Sequence, residues 1–177
     1  MIDIDNLRQW YAMRVFFNNI FKVRDEMEAA GARTYMAMKT VRETVQGRTV
    51  VRKVQLAPSL LFVECRKKEL TDYCALHPGR MMLYRSVLGR EPEPIEREEM
   101  EMFIKVTSAA QETQDIDFLG REFEFRPGDK VRVTGGLYKG AEGYIKRIKK
   151  DRKLIVAISG VAVVALSHIP QEYLEPI

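Results

Sequence analysis

Cys65 and Cys74 stand nine positions apart, and Asp72 and His77 lie beside the second thiol. Two such thiols could form a redox pair, and a thiol with an imidazole three positions on could form a nucleophile–base couple. The surroundings complete neither. A helical i, i+3 spacing ahead of Pro78-Gly79 supplies no oxyanion site and no pocket, which removes the nucleophile reading. The thiols read instead as buried structural cysteines. Two cysteines and two histidines in 177 residues exclude a disulfide framework and a zinc module. His168, next to Ile169-Pro170, is most simply a strand-end residue. No Walker loop, dinucleotide fingerprint or metal-ligand spacing is present. The expectation is a non-enzyme with no catalytic residue, no cofactor and no metal.

Charge and aromatic surface remain as carriers of function. The net charge of +4 is too small for a histone-like binder, but its distribution is uneven. Residues 1–90 carry a net +7, residues 91–125 a net −8, and residues 126–177 a net +5. Either the acidic stretch is a solvated helix and linker, or two basic blocks face a polyanion and the acidic connector points away. The cluster Lys146, Arg147, Lys149, Lys150, Arg152 and Lys153 likewise reads as a solvated hairpin or as an RNA phosphate contact. The longest apolar run, Leu154 to Leu166, holds 13 residues including Ser159 and Gly160. A membrane span needs about 20. The opening MIDIDNLRQW lacks the basic flank and apolar stretch of a secretory signal. A cytoplasmic monomer without a membrane partner is expected.

The elements that must position these residues follow from pattern. Trp10 to Phe17 is aromatic and β-branched, a buried strand. Asn18 and Asn19 suit a helix N-cap, and Ile20, Val23, Met27 and Ala30 form one helical face closed by Gly31. A strand is expected from Tyr35 to Val41, then a hairpin from Val41 to Leu56 turning at Gln46-Gly47. Leu60 to Val63 reads as a fully apolar strand, Leu70 to Leu76 as a short helix, and Met81 to Val87 as another strand. Pro94 opens a second long helix with Glu96, Glu98 and Glu99 in its first turn and Ile95, Met102, Phe103, Val106 and Ala110 on its apolar face. This order describes an α+β fold, helices against an antiparallel sheet. Residues 111–125 lose helical periodicity and read as a linker, although Ile116, Phe118 and Leu119 could dock on either neighbour. From Arg126, short β-rich segments (130–134, 141–149, 153–159 and 161–167), with a tight turn at Asp151-Arg152, imply a small barrel. Domains are expected at 1–110 and 126–177.

Residues 127–145 read PGDKVRVTGGLYKGAEGYI. Gly135, Gly136 and Gly140 permit a tight loop, and Gly143 lets the next strand bend. This run, with Gly135, Tyr138, Gly140 and Gly143 as its marks, resembles the KOW motif of SH3-like barrels. Trp10-Tyr11, the Pro58-x-x-Leu61-Phe62-Val63 element and Pro94-Ile95 before an acidic helix extend the likeness to the NusG family of transcription elongation factors, over residues 9–177. The resemblance implies a non-catalytic elongation or antitermination factor whose N-terminal domain grips the clamp helices of the RNA polymerase largest subunit. Tyr11, Arg14, Phe16, Leu60, Phe62 and Tyr84 are its candidate polymerase-facing residues, with core packing as the other reading for Trp10, Tyr11, Phe16, Phe62 and Tyr84. Thr71, Asp72 and Tyr73 fall where family members touch the polymerase gate loop, or else on a solvated helix. Asn18, Asn19, Lys22 and Arg80 match positions that meet the non-template DNA strand, against helix capping for the Asn pair.

Two departures bear on the kind of factor. General members read Phe-Pro-Gly-Tyr where this chain has Ala57-Pro58-Ser59-Leu60, and Ser159 stands where they present an aromatic to a ribosomal or termination-factor partner. The likeness is therefore to specialised paralogues serving long operons such as polysaccharide loci. The alternatives are a housekeeping factor coupling transcription to termination or translation and, from another class, a KOW-barrel RNA-binding protein of ribosome assembly. Some specialised members store the KOW segment as a helical hairpin. Its β-branched residues and glycines here favour strands instead.

Overall fold

The structure is a computed structural model that describes residues 3, 6–85, 89–121 and 128–177. In chain order, its first elements are β1 (Arg8–Val15), α1 (Ile20–Ala29), β2 (Arg33–Tyr35), β3 (Met38–Val45) and β4 (Arg48–Gln55). Next come β5 (Leu60–Arg66), α2 (Lys67–Leu76), β6 (Met81–Leu83), α3 (Arg97–Ala109) and β7 (Ile116–Gly120). The last are β8 (Lys130–Val133), β9 (Glu142–Ile148), β10 (Asp151–Ile158), β11 (Ala162–Leu166) and β12 (Leu174–Pro176). The fold class is α+β, as expected. No helix among the described residues is long and apolar enough to cross a membrane. Two compact units emerge, one of residues 1–36 with 58–100 and one of 37–57 with 101–177.

The first unit holds an antiparallel sheet in the order β2-β5-β1-β6. Alternation divides its two faces. Tyr11, Met13, Val15, Leu61, Val63, Cys65 and Leu83 form one core with Ile20, Val23 and Met27 of α1 and Leu70 of α2. Trp10, Ala12, Arg14, Leu60, Phe62 and Glu64 belong to the opposite face. The first strand stops at Val15, short of the expected Phe17, because Phe17 and Asn18 both adopt left-handed backbone at φ 57°. Asn19 occupies the N-cap of α1, but its side chain does not cap the helix. Its Nδ2 donates instead to the Phe16 carbonyl at 3.1 Å. Gly31, at φ 93°, closes α1 as expected. The long helix α3 starts at Arg97 rather than beside Pro94. The Ile95 amide donates to the Trp10 carbonyl at 2.7 Å, and this β-bridge keeps the preceding residues extended. Of the strand expected over Met81–Val87, β6 covers the first three residues, and 86–88 lie outside the described residues.

In the second unit, β3 and β4 form a two-stranded hairpin turning at Gln46 (φ 50°) and Gly47 (φ 76°). The strand expected over Tyr35–Val41 is thus split between two sheets. A six-stranded antiparallel sheet runs β12-β8-β9-β10-β11-β7. It is the KOW-type β module, built from strands throughout, including the whole Leu154–Leu166 run apart from its turn. Asp151 and Arg152 pair within β10, so the tight turn sits two residues earlier, at Lys149-Lys150, with Lys149 left-handed at φ 58°. Residues 116–120, inside the expected linker, form β7 on the edge of this sheet, because Ile116 is fully buried and the segment pairs with β11. Residues 122–127, including Pro127 of the KOW run, lie outside the described residues.

Candidate functional site

Across β5, β1 and β6, register brings Leu60, Arg14 and Met82 side by side on the face away from α1 and α2. Leu60 is buried, Arg14 is exposed, and Met82 is 45% exposed. Tyr84, half-buried, continues the row, its amide donating to the Ala12 carbonyl at 3.0 Å. Phe16, the residue after β1, is half-buried, with the Arg14 guanidinium 5.8 Å from its ring centre. Of the six expected polymerase-facing residues, Arg14, Phe16 and Tyr84 reach the surface of this face, and Leu60, at 5% exposure, packs just beneath it. The other two lie deeper. Phe62 shares that face but is 1% exposed, and Tyr11 belongs to the core against the helices. Met82 escaped the sequence reading, although its place between Met81 and Leu83 on a strand puts it on the outer face by alternation alone.

The two remaining residue groups meet at an acid that the sequence did not single out. Glu26 on α1 accepts a hydrogen bond from the Tyr73 hydroxyl at 2.5 Å, and the Arg80 guanidinium lies 3.4 Å from the same oxygen. His77 completes the group, 3.9 Å from Glu26 and packed at a tilt against Tyr73 with ring centres 4.5 Å apart. The Tyr73 hydrogen bond, assisted by the Arg80 charge, holds the Glu26 carboxyl below its ordinary range. Burial and the bond to Glu26 push the Tyr73 hydroxyl up to about 12. The Arg80 carbonyl in turn accepts from the Phe16 amide at 2.8 Å, tying the turn before β6 to the end of β1. Lys22 and Asn18 are exposed, while Asn19 is committed to its local bond. Thr71 bonds back to the Lys67 carbonyl at 3.2 Å, and Asp72 pairs with Lys68 at 2.5 Å. The interleaving of Lys22, Glu26, Tyr73 and Arg80 was hidden because the contact joins residues 47 and 54 positions apart.

Both thiols are free. Burial raises Cys65 to about 12 and Cys74 to about 11, the opposite of thiolate activation. No group of three or more metal-ligating side chains occurs among the described residues.

Of the KOW marks, Gly135, Tyr138 and Gly140 lie in the loop between β8 and β9, and Gly143 lies in β9. Gly136 and Gly140 are left-handed at φ 74° and φ 85°. A Cβ on Gly135 would lie 2.8 Å from the Tyr173 ring, and one on Gly143 would strike the Ile155 carbonyl. Tyr138 is buried beneath the loop at 7% exposure. These residues shape the turn rather than present chemistry.

Residues 8–104 match the family described as transcription termination factor nusG. The chain belongs to this NusG family, whose members are transcription elongation factors that partner RNA polymerase. It is similar to a solved structure of Thermotoga maritima NusG, at 21% identity and TM-score 0.49, over 98% of this chain and 99% of that one. It is also similar to a chain of the MjSpt4:Spt5 complex, at 12% identity and TM-score 0.31, over 95% and 96% of the two chains. No curated protein sequence matches it.

Proposed function

We propose that this chain docks on the clamp helices of RNA polymerase through the patch of Arg14, Phe16, Leu60, Met82 and Tyr84 and promotes processive elongation. The observation that carries the reading is the adjacency of Leu60, Arg14 and Met82 across three strands, which leaves apolar surface beside a cation on the face free of α1 and α2. Phe62 and Tyr11 support this surface from within. Thr71 and Tyr73 serve the gate-loop contact, with Asp72 beside them. Asn18, Lys22 and Arg80 face the non-template strand from the start of α1 and the turn before β6, with Asn19 bracing that start. The KOW sheet takes a ribosomal or termination-factor partner, or is the point of regulation.

Co-purification of RNA polymerase with the full chain tests the docking. Arg14→Glu combined with Met82→Glu removes an exposed apolar contact and reverses a charge without touching the core. A well-packed interface anchor is worth about 2–4 kcal/mol, so polymerase retention should fall at least tenfold. A folded double variant that retains polymerase like the wild type overturns the assignment.

Service to particular operons is the narrower half of the proposal. Ser59 adopts φ 66°, a conformation that suits the glycine of general members, and Ser159 lies in the β10–β11 turn in place of their aromatic. Transcript profiles of a deletion strain decide this point. Loss confined to the distal genes of a few long operons supports the specialist, whereas a genome-wide change supports the housekeeping reading.

A further inference from the structure

Residues 42–53 of the β3–β4 hairpin are all exposed, and among the described residues no third strand joins this sheet. Only its base is anchored. The Thr40 amide donates to the Gln111 carbonyl at 2.8 Å, and the Gln114 side chain donates to the Thr40 carbonyl at 3.0 Å. Both bonds leave β3 on the side away from β4, so Thr40 and Lys53 form a pair whose backbone groups point outward. The period of two extends this to the Arg42–Val51 and Thr44–Thr49 pairs. The outer edge of β4 therefore offers the amides and carbonyls of Thr49, Val51 and Lys53 in a row. A two-stranded ribbon is marginal by itself, and such an edge is a template for another strand. Apolar side chains remain uncovered along it, with Val51 58% exposed and Val50 43%. Cations stand among them. Arg42 and Arg48 have no acidic partner among the described residues, Arg52 pairs with Glu43 at 3.0 Å, and Lys53 reaches Glu112 only at 3.8 Å.

We infer that the outer edge of β4 docks an extended, acidic protein segment, which adds to the hairpin as a third, antiparallel strand. Backbone bonds to Thr49, Val51 and Lys53 supply the register, and side chains supply the choice of partner. Arg48 and Arg52 share one face of β4 with Val50 between them, so that face selects acid, apolar residue and acid at alternate positions. Lys53, on the other face, selects a third acid. A second copy of this chain is a poor occupant, because its edge would set these cations against one another. Nucleic acid is another, since phosphates gain nothing from exposed valines and the hairpin carries no aromatic ring for bases. The edge shares no residue with the proposed docking patch, gate-loop contact or non-template-strand contact, and the inference stands apart from that reading.

The test uses the isotope-labelled full chain without polymerase, so its outcome is independent of docking. Its amide resonances are followed while the peptide acetyl-Glu-Glu-Val-Val-Thr-Glu-amide, the antiparallel complement of residues 48–53, is added to millimolar concentration. The amides of Thr49, Val51 and Lys53 should shift and saturate. The same peptide N-methylated at its first Val and at its Thr should leave them unmoved, because those two amides are the ones that donate to β4. Arg48→Glu combined with Arg52→Glu should weaken binding about tenfold, and a peptide with Lys in place of each Glu should not bind. Val51→Pro removes an outward amide while sparing the bonds between β3 and β4, and it should also weaken binding about tenfold. Equal shifts with the N-methylated peptide overturn the strand addition, whatever Val51→Pro does to the hairpin. Wild-type affinity in the double arginine variant overturns the acidic preference. No shift at millimolar peptide overturns the proposal outright. Stronger shifts of the same amides by dT15 would assign the edge to nucleic acid, and a dimer that Val51→Pro dissociates would assign it to a second copy. Either result overturns the inference.

Discussion

The end of β1 and the KOW loop solve the same backbone problem with opposite residues. Both need left-handed conformations at two positions within a short loop. The KOW loop uses Gly136 and Gly140, whereas the β1 end uses Phe17, Asn18 and, in the neighbouring turn, Ser59. Space explains the glycines next to these positions. A side chain at Gly135 would meet the Tyr173 ring, and one at Gly143 would meet the β10 backbone. Space does not explain the β1 end, where Phe17 and Asn18 point into solvent and glycine would cost less. Phe17 touches the Phe16 ring but remains 84% exposed, so packing returns little for its strained backbone and the position is one to test for function. The KOW loop is shaped by its own interior, and the β1 end by what it displays.

The largest effect comes from forcing the KOW side of this contrast. Gly143→Ala drives a methyl group into the Ile155 carbonyl between paired strands, and backbone cannot yield as a flexible side chain can. Overpacking of this kind costs about 1–3 kcal/mol, and the upper end applies here. Urea denaturation should show the loss as a lower midpoint. An unchanged midpoint would mean that the loop is looser than its geometry implies.

A gain of about 1 kcal/mol is expected on the other side. Ser59→Gly relieves a left-handed serine at φ 66°, and the Val15 amide can keep its 2.8 Å bond to the carbonyl of residue 59. The gain is offset in part by whatever interaction of the half-buried Ser59 the substitution removes and by the extra freedom of glycine in the unfolded chain. A raised denaturation midpoint supports the view that serine is retained at a cost. A lowered midpoint would show that the local fold, rather than display, selects the side chain.

An alkaline test separates the buried interior of the first sheet from its rim. Burial lifts Cys65 from 9.0 to about 12, so the folded state holds that proton more tightly than the unfolded state does. Stability from this source is complete below pH 9 and declines as pH rises toward 12. Cys65→Ala should flatten the decline in a pH series of melting temperatures. An equally steep decline in the variant would assign the sensitivity to other groups, with Tyr73 first among them.

The sequence disclosed elements whose pattern and punctuation agreed. The Ile20–Val23–Met27 face, the Gln46-Gly47 hairpin and the run of apolar strands from Leu154 to Leu166 all form as their periodicity implies. Misreadings arose where a long-range bond overrode a local rule. Pro94 favours a helix start, yet the bridge from Ile95 to Trp10 delays it by three residues. Asn19 has a capping side chain, yet the Phe16 carbonyl captures it. The linker composition of residues 111–125 concealed β7, whose partner strand lies more than forty positions away. At the candidate site, residue types were legible and exposure was not. Alternation could have placed Met82 outside, but nothing local distinguishes an exposed Phe17 from the buried strand before it.

The smallest effect expected is local, and it tests what holds the β1 end in place. Glu26 draws Arg80 to it, and the Arg80 carbonyl anchors the Phe16 amide just before the two left-handed residues. The Glu26 carboxyl titrates below its ordinary 4.5, chiefly through the Tyr73 hydrogen bond. A depressed pKa contributes stability that is present above the unfolded value and is lost as pH falls through the folded one. Acidification below pH 4.5 should therefore loosen the β1 end, as it should the KOW segment where Glu142 is held down by Arg132 and Lys130, but only the former through Glu26. Hydrogen exchange at Phe16, measured between pH 6 and 3.5 and corrected for intrinsic rates, reads this directly. Glu26→Gln should reproduce the loosened state at pH 6 and abolish its further pH dependence. Protection of Phe16 that is unchanged by acid and by the variant would show that the ion pair is incidental, and that backbone bonding alone presents Phe17 and Asn18.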